Sequence, residues 1–366
     1  MVTPIESMDK QTPDVPTYPV YFGSDNQAGA HPDILEALTN ANKGMTHGYG
    51  NDALTQRVEE RINTLFECEC TTFLVATGTA ANALALSALC PPWGGIYCHS
   101  GAHVINDENT APEFFTAGAR QIPIEGCKGK PNLEALSKAI SSAQSHGIHN
   151  IKPAVITLTN ATECGTVFTP AELVNYGNLA RDHKMALHID GARFSNAVVS
   201  TGASPAALTW QSGVDALTFG ATKNGAIAAE IVVFFNKQFA DDFAYRRKRA
   251  GHLWSKHRFL AAQIDAFFHN DLWLKNAQHA NAMATRLAHG LSTVRGIGIP
   301  WPVEANEIFA TMPAALIQQL RQRGFEFYDW PVVDNMVRLV TSFNTSTDDI
   351  DHFISSAHQL AGGPIS

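Results

Sequence analysis

Short apolar segments alternate with amphipathic segments along the chain, and this alternation restricts the possible folds more than any other feature. The segments with strand character are residues 72–76, 95–98, 154–159, 185–189, 216–219 and 231–235. The segments with helical character are residues 32–40, 51–64, 80–89, 132–145 and 170–183. Short strands that alternate with helices are typical of a mostly parallel sheet covered by helices on both faces. The sequence therefore predicts an α/β fold.

The chain is long enough for two hydrophobic cores. Its 366 residues exceed what one small core accommodates. Residues 239–291 have a helical pattern, and the tail is predicted as strand, strand and helix at 324–327, 336–342 and 347–360. These patterns predict a large α/β domain at residues 21–250 and a smaller C-terminal α+β domain at residues 251–366. Residues 1–20 are predicted as an N-terminal arm.

The composition excludes several classes of protein. Hydrophobic residues make up 45% and charged residues 16% of the chain, as in ordinary globular proteins. The formal charge of −8 argues against nucleic acids and anionic membranes as main partners. A membrane-spanning run and a signal-peptide pattern are both absent from the sequence, so a cytoplasmic protein is expected. The six cysteines lack zinc-like spacing, and no metal site is predicted.

Polar clusters follow three of the predicted strands, at residues 77–79, 190–193 and 222–223. Ligands bind parallel sheets beyond the carboxyl ends of the strands, so we expect these clusters to lie close together. The first cluster joins a strand to a helix, where free backbone amides and the helix dipole favour a phosphate. An ordinary helix N-cap is the alternative for this cluster.

Asp190 and Lys223 are the most informative pair in these clusters. A lysine behind an apolar strand would be partly desolvated, which lowers its pKa and frees the amine as a nucleophile. A buried aspartate needs a partner, and a protonated pyridine nitrogen would be one. The pair is what pyridoxal phosphate (PLP) chemistry requires. The lysine amine condenses with the cofactor aldehyde, and the carboxylate keeps the pyridine nitrogen protonated, so that the pyridine ring can accept electrons. A helix-capping aspartate and a surface lysine are the alternative.

Two histidines lie near these predicted strand ends. His103 follows a strand, where an aromatic side chain could stack on a cofactor ring or act as an acid or base. A structural histidine is the alternative for this position. His188 lies two residues before Asp190, on the same face of the strand, and could hydrogen-bond that carboxylate.

Two motifs carry a resemblance to a known family: HIDGARF at residues 188–194 and FGATKNG at residues 219–225. Supporting matches are SDN at 24–26, YG at 49–50, ATGTAAN at 76–82, AH at 102–103 and MVRLVT at 336–341. The chain resembles the threonine aldolases, the β-hydroxy-α-amino acid aldolases of the aspartate aminotransferase-like PLP fold type I. The motifs follow the family order over nearly the whole chain.

The resemblance implies roles for the residues around the cofactor. Lys223 would bind PLP covalently, and Asp190 would pair with the pyridine nitrogen. His103 would stack on the ring. The residues that would hold the phosphate are Gly78, Thr79 and Ala80.

The resemblance also implies how the substrate is held. Arg193, which would lie near the cofactor as well, would bind the substrate carboxylate together with Arg338 and Ser24. Arginine suits this role because its planar fork matches a carboxylate. Tyr49 would face the active site of a neighbouring subunit, since the family forms homodimers or homotetramers with sites at the interface.

The implied function is a PLP-dependent carbon–carbon lyase. It would cleave a β-hydroxy-α-amino acid of the threonine, allo-threonine or phenylserine type reversibly to glycine and an aldehyde, with His103 or a water near it as the base. The same fold hosts β-elimination, transaldolation, transamination and racemisation, which stay open as alternatives. A PLP-carrying protein without catalysis is a further alternative. The loops at 24–28 and 106–109 depart from the family pattern and would contact the substrate side chain.

Overall fold

The computed structural model of the protein describes residues 19–330 and 332–362. The predicted N-terminal arm at residues 1–20 therefore lies outside the described residues, except for its last two. Within the described ranges, the strands are β1 (Val20–Tyr21), β2 (Thr71–Val75), β3 (Gly94–His99), β4 (Arg120–Ile124), β5 (Gly126–Cys127), β6 (Lys130–Pro131), β7 (Lys152–Thr159), β8 (Ala186–Gly191), β9 (Ala216–Gly220), β10 (Glu230–Phe234), β11 (Glu307–Thr311), β12 (Phe325–Glu326), β13 (Tyr328–Asp329) and β14 (Met336–Val340). The α-helices there are α1 (Pro32–Ala41), α2 (Ala53–Leu65), α3 (Gly78–Leu89), α4 (His103–Asn106), α5 (Ala111–Phe115), α6 (Leu133–Ser145), α7 (Pro170–Asp182), α8 (Phe194–Thr201), α9 (Phe243–Arg249), α10 (Arg258–Phe268), α11 (Leu272–Ser292), α12 (Ala314–Gln322) and α13 (Thr347–Leu360).

The central sheet of the described chain has seven strands in the order β2-β10-β9-β8-β7-β3-β4. The strands from β9 to β4 in this order run parallel to one another, and β10 is antiparallel to both of its neighbours. Helix α7 packs against β7 and β8 in one hydrophobic core, and helix α3 packs against β9 and β10 in another. A mostly parallel sheet between helical layers confirms the fold class predicted from the sequence.

Alternate residues of the central strands enter opposite cores. On β10, Ile231 and Val233 join the core that contains α2, α7 and α10, whereas Val232 and Phe234 join the core that contains α3 and α9. Successive side chains of a strand point to opposite faces of the sheet. Because both faces are covered, the strand is a continuous apolar run, which is the pattern that predicted a strand at residues 231–235.

A separate core joins both ends of the described chain. Strand β1 pairs in parallel with β12, so that Val20 lies opposite Phe325. Phe22 packs in the same core as α13, α12 and the antiparallel sheet β11-β14-β13. Residues near the N-terminus are thereby fixed against the C-terminal part of the chain.

Packing across the predicted domain boundary is continuous. Helix α10 lies beyond residue 250, yet Leu260, Ile264 and Phe267 belong to the core of the central sheet. The residues of α11 that pack in the C-terminal core begin at Met283, which is partly buried, and Ala284, which is buried. The division of the chain at residue 250 stays a prediction, and packing alone groups α10 with the central sheet.

Several elements escaped the sequence patterns. Strand β4 contains Arg120 and Pro123, which are unusual in strands, but β4 lies at the edge of the sheet, where proline is tolerated. Strand β11 begins with a charged residue, Glu307. The helices within residues 19–330 and 332–362 are all too short or too polar to cross a membrane.

Candidate active site

The three polar clusters predicted from the sequence converge at one edge of the central sheet. Strands β8 and β9 are parallel neighbours, and their register places Asp190 opposite Thr218. Asn82 on α3 connects the two strands: its Nδ2 donates to Asp190 Oδ2 over 2.8 Å, and its Oδ1 accepts from the Thr218 hydroxyl over 2.6 Å. The start of α3 and the ends of β8 and β9 therefore surround a common site. Lys223 lies there, in a single turn of 3-10 helix after β9.

Lys223 carries an amine suited to nucleophilic chemistry. Burial lowers the pKa of Lys223, and the nearby charge of Arg193 lowers it further, although Asp25, Asp190 and Glu307 oppose this change. Within the described chain, neither a hydrogen bond nor an ion pair engages Nζ. A larger fraction of the amine is therefore neutral and free to react than for an exposed lysine.

Asp190 is buried and forms no ion pair in the part of the chain that the structure describes. The residue is 4% exposed. Oδ1 accepts from the amide of Ala192 over 3.0 Å, and Oδ2 accepts from Asn82. The sequence suggested a bond from His188, but His188 Nδ1 instead lies 2.8 Å from the hydroxyl of Thr157. Residues two apart on a strand are separated by roughly 6.6 Å, so a neighbouring strand supplies the closer partner.

His103 begins helix α4 directly after β3. Its amide donates to Glu163 Oε1 over 2.8 Å, and its Nδ1 lies 2.9 Å from Glu108 Oε1. The hydrogen bond to Glu108 raises the pKa of His103, with a further contribution from Asp190, while burial opposes the change. Because Nδ1 faces a carboxylate, Nε2 is the ring nitrogen left for a ligand.

The side chains of His103, Glu108 and Asp190 form one cluster. Their nearest nitrogen and oxygen atoms lie within 4.8 Å of one another, a spacing that a metal ion also accepts. Asn82 donates to both Glu108 and Asp190 over 2.8 Å, so hydrogen bonds already join the two acids.

The N-terminus of α3 lies open beside this cluster. Thr77 caps the helix, because its hydroxyl accepts from the amide of Ala80 over 3.2 Å. The amides of Gly78 and Thr79 belong to the first turn, where helices leave N–H groups without partners. A Cβ atom built on Gly78 would meet nothing within 4 Å, so there is open space at this position. Of the three predicted phosphate ligands, Ala80 already has its amide bonded.

Arg193 precedes α8 and forms a buried ion pair. Its Nε and Nη2 donate to Asp25 over 2.7 Å and 3.0 Å. Burial alone would raise the pKa of Asp25, but Arg193 and Lys223 hold it below its usual value. Asn306 donates to the same carboxylate over 3.1 Å. Arg193 thus lies near Lys223 as the sequence predicted, but Asp25 already accepts hydrogen bonds from two of its nitrogens, Nε and Nη2.

Arg338 on β14 approaches the site from the small sheet. Its guanidinium lies 5.5 Å and 5.3 Å from the ring centroids of Tyr328 and Trp330, and Nη2 donates to Gly23 O over 3.3 Å. Nη1 lies 3.8 Å from Glu307 Oε1, and Nη1 of Arg193 lies 3.4 Å from the same oxygen. Glu307 therefore stands between the two predicted carboxylate-binding arginines.

The remaining predicted residues have different surroundings. Ser24 caps the 3-10 turn Asp25–Gln27, and its hydroxyl accepts from the amide of Asn26. Tyr49 is half exposed and lies under the Lys248 ammonium, 4.9 Å from its ring centroid. Tyr49 and Arg247 both line a cavity of about 210 Å³. No hydrogen bond or ion pair within the described residues joins Tyr49 to the site. A second cleft, of about 750 Å³, lies at the amino ends of β7 and β8, away from this chemistry.

Several site residues were missed by the sequence reasoning. Glu230 is the first residue of β10, and its Oε2 accepts a hydrogen bond from the amide of Ala221 over 2.8 Å. Ala221 lies two residues before Lys223, so Glu230 is close to the lysine segment. Burial raises the pKa of Glu230 to about 7, and it raises that of Glu163 to about 7 as well. Glu230 and Glu307 are each a charged residue at the start of a mainly apolar strand, which is the signal that could have found them. Glu108 and Asn82 carry no such local signal.

A partly buried lysine and a buried aspartate at neighbouring strand ends, beside an open helix N-terminus, are typical of the class of fold type I PLP enzymes. The beta-eliminating lyase family model matches residues 22–315. A low specificity L-threonine aldolase from Pseudomonas aeruginosa is 42% identical, covering 90% of this chain and 94% of its own. One from a Pseudomonas species is 40% identical, covering 88% and 93%.

Solved structures are similar as well. A threonine aldolase from Leishmania major superimposes with a TM-score of 0.87 at 26% identity, covering 94% of this chain and all of that one. An aspartate aminotransferase from Rhodobacter sphaeroides, with a TM-score of 0.69, 15% identity and coverage of 97% and 94%, shares the fold. The chain belongs to the threonine aldolase family, which confirms the resemblance seen in the sequence.

Proposed function

We propose that this protein is a PLP-dependent lyase that cleaves β-hydroxy-α-amino acids reversibly to glycine and an aldehyde. The observation that carries the proposal is the convergence of the partly buried Lys223 and the buried Asp190 at the ends of adjacent strands, where neither side chain forms an ion pair among the described residues. The names of the Pseudomonas relatives support the same reaction.

The residues present fit the cofactor. Asp190 is a buried carboxylate that receives N–H donors only from neutral groups, so a protonated ring nitrogen would complete its environment. The open space above Gly78, at the start of a 12-residue helix, suits a phosphate. Lys223 offers an amine with a lowered pKa for the covalent bond.

When bound, PLP supplies an acceptor for the electron pair left by cleavage of the Cα–Cβ bond. The protein groups then perform binding and proton transfer. Arg193 and Arg338 orient the substrate carboxylate, with the hydroxyl of Ser24 beside them. Asp190 would keep the pyridine nitrogen of PLP protonated, and His103 Nε2 would take the proton of the substrate's β-hydroxyl group. Glu108 holds the His103 ring by its other nitrogen.

Product analysis tests this function. Purified protein incubated with PLP should convert L-threonine, L-allo-threonine or phenylserine to glycine and the matching aldehyde, and the mirror-image substrates in parallel will define the stereochemistry. β-Elimination is the second candidate, favoured by the description of the matching family model. Ammonia and a keto acid as products, instead of glycine and an aldehyde, would establish elimination and refute the aldolase proposal.

The same proposal includes a homodimer or homotetramer with active sites at the interface. The segments that contain Tyr49 and Trp254 are adjacent, since the Tyr49 amide donates to Ser255 O over 3.0 Å. Met45, Tyr49 and Trp254 expose apolar surface on these segments, which supports a covered face. Light scattering of purified protein should give a mass at least twice that of one chain. A monomer at micromolar concentration would contradict this part of the proposal.

A further inference from the structure

The two faces of the small sheet β11-β14-β13 differ in character. Val337 and Leu339 of β14 pack in the C-terminal core, together with Ile308 and Ala310 of β11. Arg338 lies between Val337 and Leu339 in the strand, so its side chain points to the face away from this core. The second face of the sheet therefore carries the arginine that we assign to the substrate carboxylate.

Aromatic side chains surround Arg338 on this second face. Tyr328 of β13 and Phe309 of β11 both lie directly opposite Arg338 in the register of the sheet. Side chains that are directly opposite in antiparallel strands share a face and are neighbours. The guanidinium carbon of Arg338 lies 5.5 Å from the ring centroid of Tyr328 and 5.3 Å from that of Trp330. Both distances fall within the range of about 6 Å over which a ring face attracts a cation.

The ring of Trp330 is itself fixed from two directions. Its backbone amide donates to Met336 O over 2.8 Å, which ties the residue to β14. Its ring packs edge-on against Phe309, with centroids 5.2 Å apart, and Trp301 packs on Phe309 with centroids 4.7 Å apart. Because Phe309 is only 1% exposed, this aromatic group forms a firm support for the guanidinium.

Hydrogen bonds hold Arg338 less tightly than they hold Arg193. Arg193 donates to both oxygens of Asp25, over 2.7 Å and 3.0 Å. Within the described residues, Arg338 makes a single hydrogen bond, from Nη2 to Gly23 O over 3.3 Å. Its Nη1 lies 3.8 Å from Glu307 Oε1, which is too long for a hydrogen bond. A ring face attracts the charge without accepting an N–H group, so Nη1 stays available to a carboxylate.

We propose that Tyr328 and Trp330 are positioning residues that hold the Arg338 guanidinium in the orientation that binds the substrate α-carboxylate. This inference rests on the proposed function, which assigns the carboxylate to Arg338. The two rings act on the substrate only through this arginine. Loss of a ring should therefore weaken the binding of ligands that carry the carboxylate and leave other amines unaffected.

Two ligands of similar size test this role. Glycine carries the carboxylate, whereas ethanolamine has a hydroxymethyl group in its place. Calorimetric titration of protein loaded with PLP measures both dissociation constants. In Tyr328→Leu and in Trp330→Leu, the constant of glycine should rise by about fivefold, and that of ethanolamine should stay at its wild-type value. Tyr328→Phe retains the ring face and should bind glycine as wild type does.

Two results would overturn the proposal: unchanged glycine binding in the leucine variants, or an equal loss of glycine and ethanolamine. Tyr328 is 50% exposed, so its replacement removes little buried surface. Tyr328→Leu therefore decides the question if circular dichroism shows that Trp330→Leu is not folded.

Tyr21→Leu is the matched control. Tyr21 also belongs to a two-residue strand and is also 50% exposed. Among the described residues, however, no lysine or arginine lies over its ring. This variant should keep the wild-type dissociation constant of glycine. A rise equal to that in Tyr328→Leu would refute a specific role for the ring over Arg338.

A double-mutant cycle tests whether Tyr328 acts through Arg338. Arg338→Ala should itself weaken glycine binding, and the addition of Tyr328→Leu should then cause no further loss. Additive losses would overturn the proposal, because Tyr328 would then act independently of the arginine. Failure of the proposed function looks different, since wild-type protein would then form no glycine from L-threonine.

Discussion

Asp25 and Arg193 lie 168 positions apart in the sequence and form a two-pronged ion pair in the buried centre of the site. Nε donates over 2.7 Å and Nη2 over 3.0 Å, each to a separate carboxylate oxygen. The pair ties the segment before α1 to the start of α8. It also presents the remaining face of the guanidinium to Glu307. One contact therefore stabilises the fold and sets the charge of the proposed substrate site.

Replacement of Asp25 by asparagine should destabilise the protein. The change leaves the buried charge of Arg193 without its main partner, and broken buried pairs lower the free energy of unfolding by about 3 kcal/mol. Urea unfolding followed by circular dichroism measures this loss. Asp351→Asn serves as a control, because Asp351 pairs with Arg286 at the surface over 2.7 Å and should contribute little. Equal effects of the two changes would contradict the role assigned to burial.

The same variant should change how stability depends on pH. Folding lowers the pKa of Asp25, so its contribution is complete above the unfolded value and is lost as the pH falls through the folded value. Wild type should therefore lose more stability than Asp25→Asn between about pH 5 and pH 2. Unfolding curves collected across this range test the difference. Parallel losses in both proteins would show that Asp25 does not titrate as its surroundings require.

Lys223→Ala should abolish the covalent attachment of the cofactor. Wild-type protein incubated with PLP and freed of excess cofactor is expected to show an absorption band in the visible range, and the variant should lose both the band and the turnover, since no other amine replaces Nζ. Lys237→Ala is the matched control, because Lys237 lies at the surface, 2.9 Å from Glu69. A colourless wild type would refute the proposal for Lys223.

His103→Phe should retain cofactor binding and lose turnover. Phenylalanine preserves a ring for stacking but has no Nε2 to accept the β-hydroxyl proton, so kcat should fall by about 10²- to 10⁴-fold. Absorbance of the bound cofactor and glycine formation report the two properties separately. Full turnover in this variant would show that His103 is not the base, and stacking on the cofactor ring would be its remaining role.

Glu108→Gln should shift the acid limb of the pH profile. Glu108 is the main cause of the raised pKa of His103, and a base works only above its pKa. Without this carboxylate, the pKa of His103 falls, and kcat/KM should persist to lower pH than in wild type. The profile of kcat/KM from pH 5 to pH 9 in roughly half-unit steps measures the shift. If the acid limb does not move, the pH dependence of kcat/KM does not report the titration of His103.

Local sequence patterns predicted most of the large elements and several candidate residues of the site. The apolar runs of β8 and β9, the start of α3 and the residues Asp190 and Lys223 were all predicted from spacing and residue type. Such patterns suffice because the side-chain periods of strands and helices are properties of short segments. The rule that ligands bind at the carboxyl ends of parallel strands then brought the three clusters together. The resemblance to the family motifs predicted Arg193 and Arg338 as ligands of the substrate carboxylate.

Only the tertiary structure decided which groups those residues meet. Asn82 reaches Asp190 across 108 positions, and Arg193 meets Asp25 and Glu307 from two other parts of the chain. The order of strands in the sheet and the packing of the small sheet against the large one create these contacts. The periodicity of apolar residues predicts neither the strand order nor the packing of the two sheets, because it describes one segment at a time and not the segments that surround it. The sequence alone therefore determined which residues could do the chemistry, whereas the fold decided their charge, hydrogen bonds and pKa.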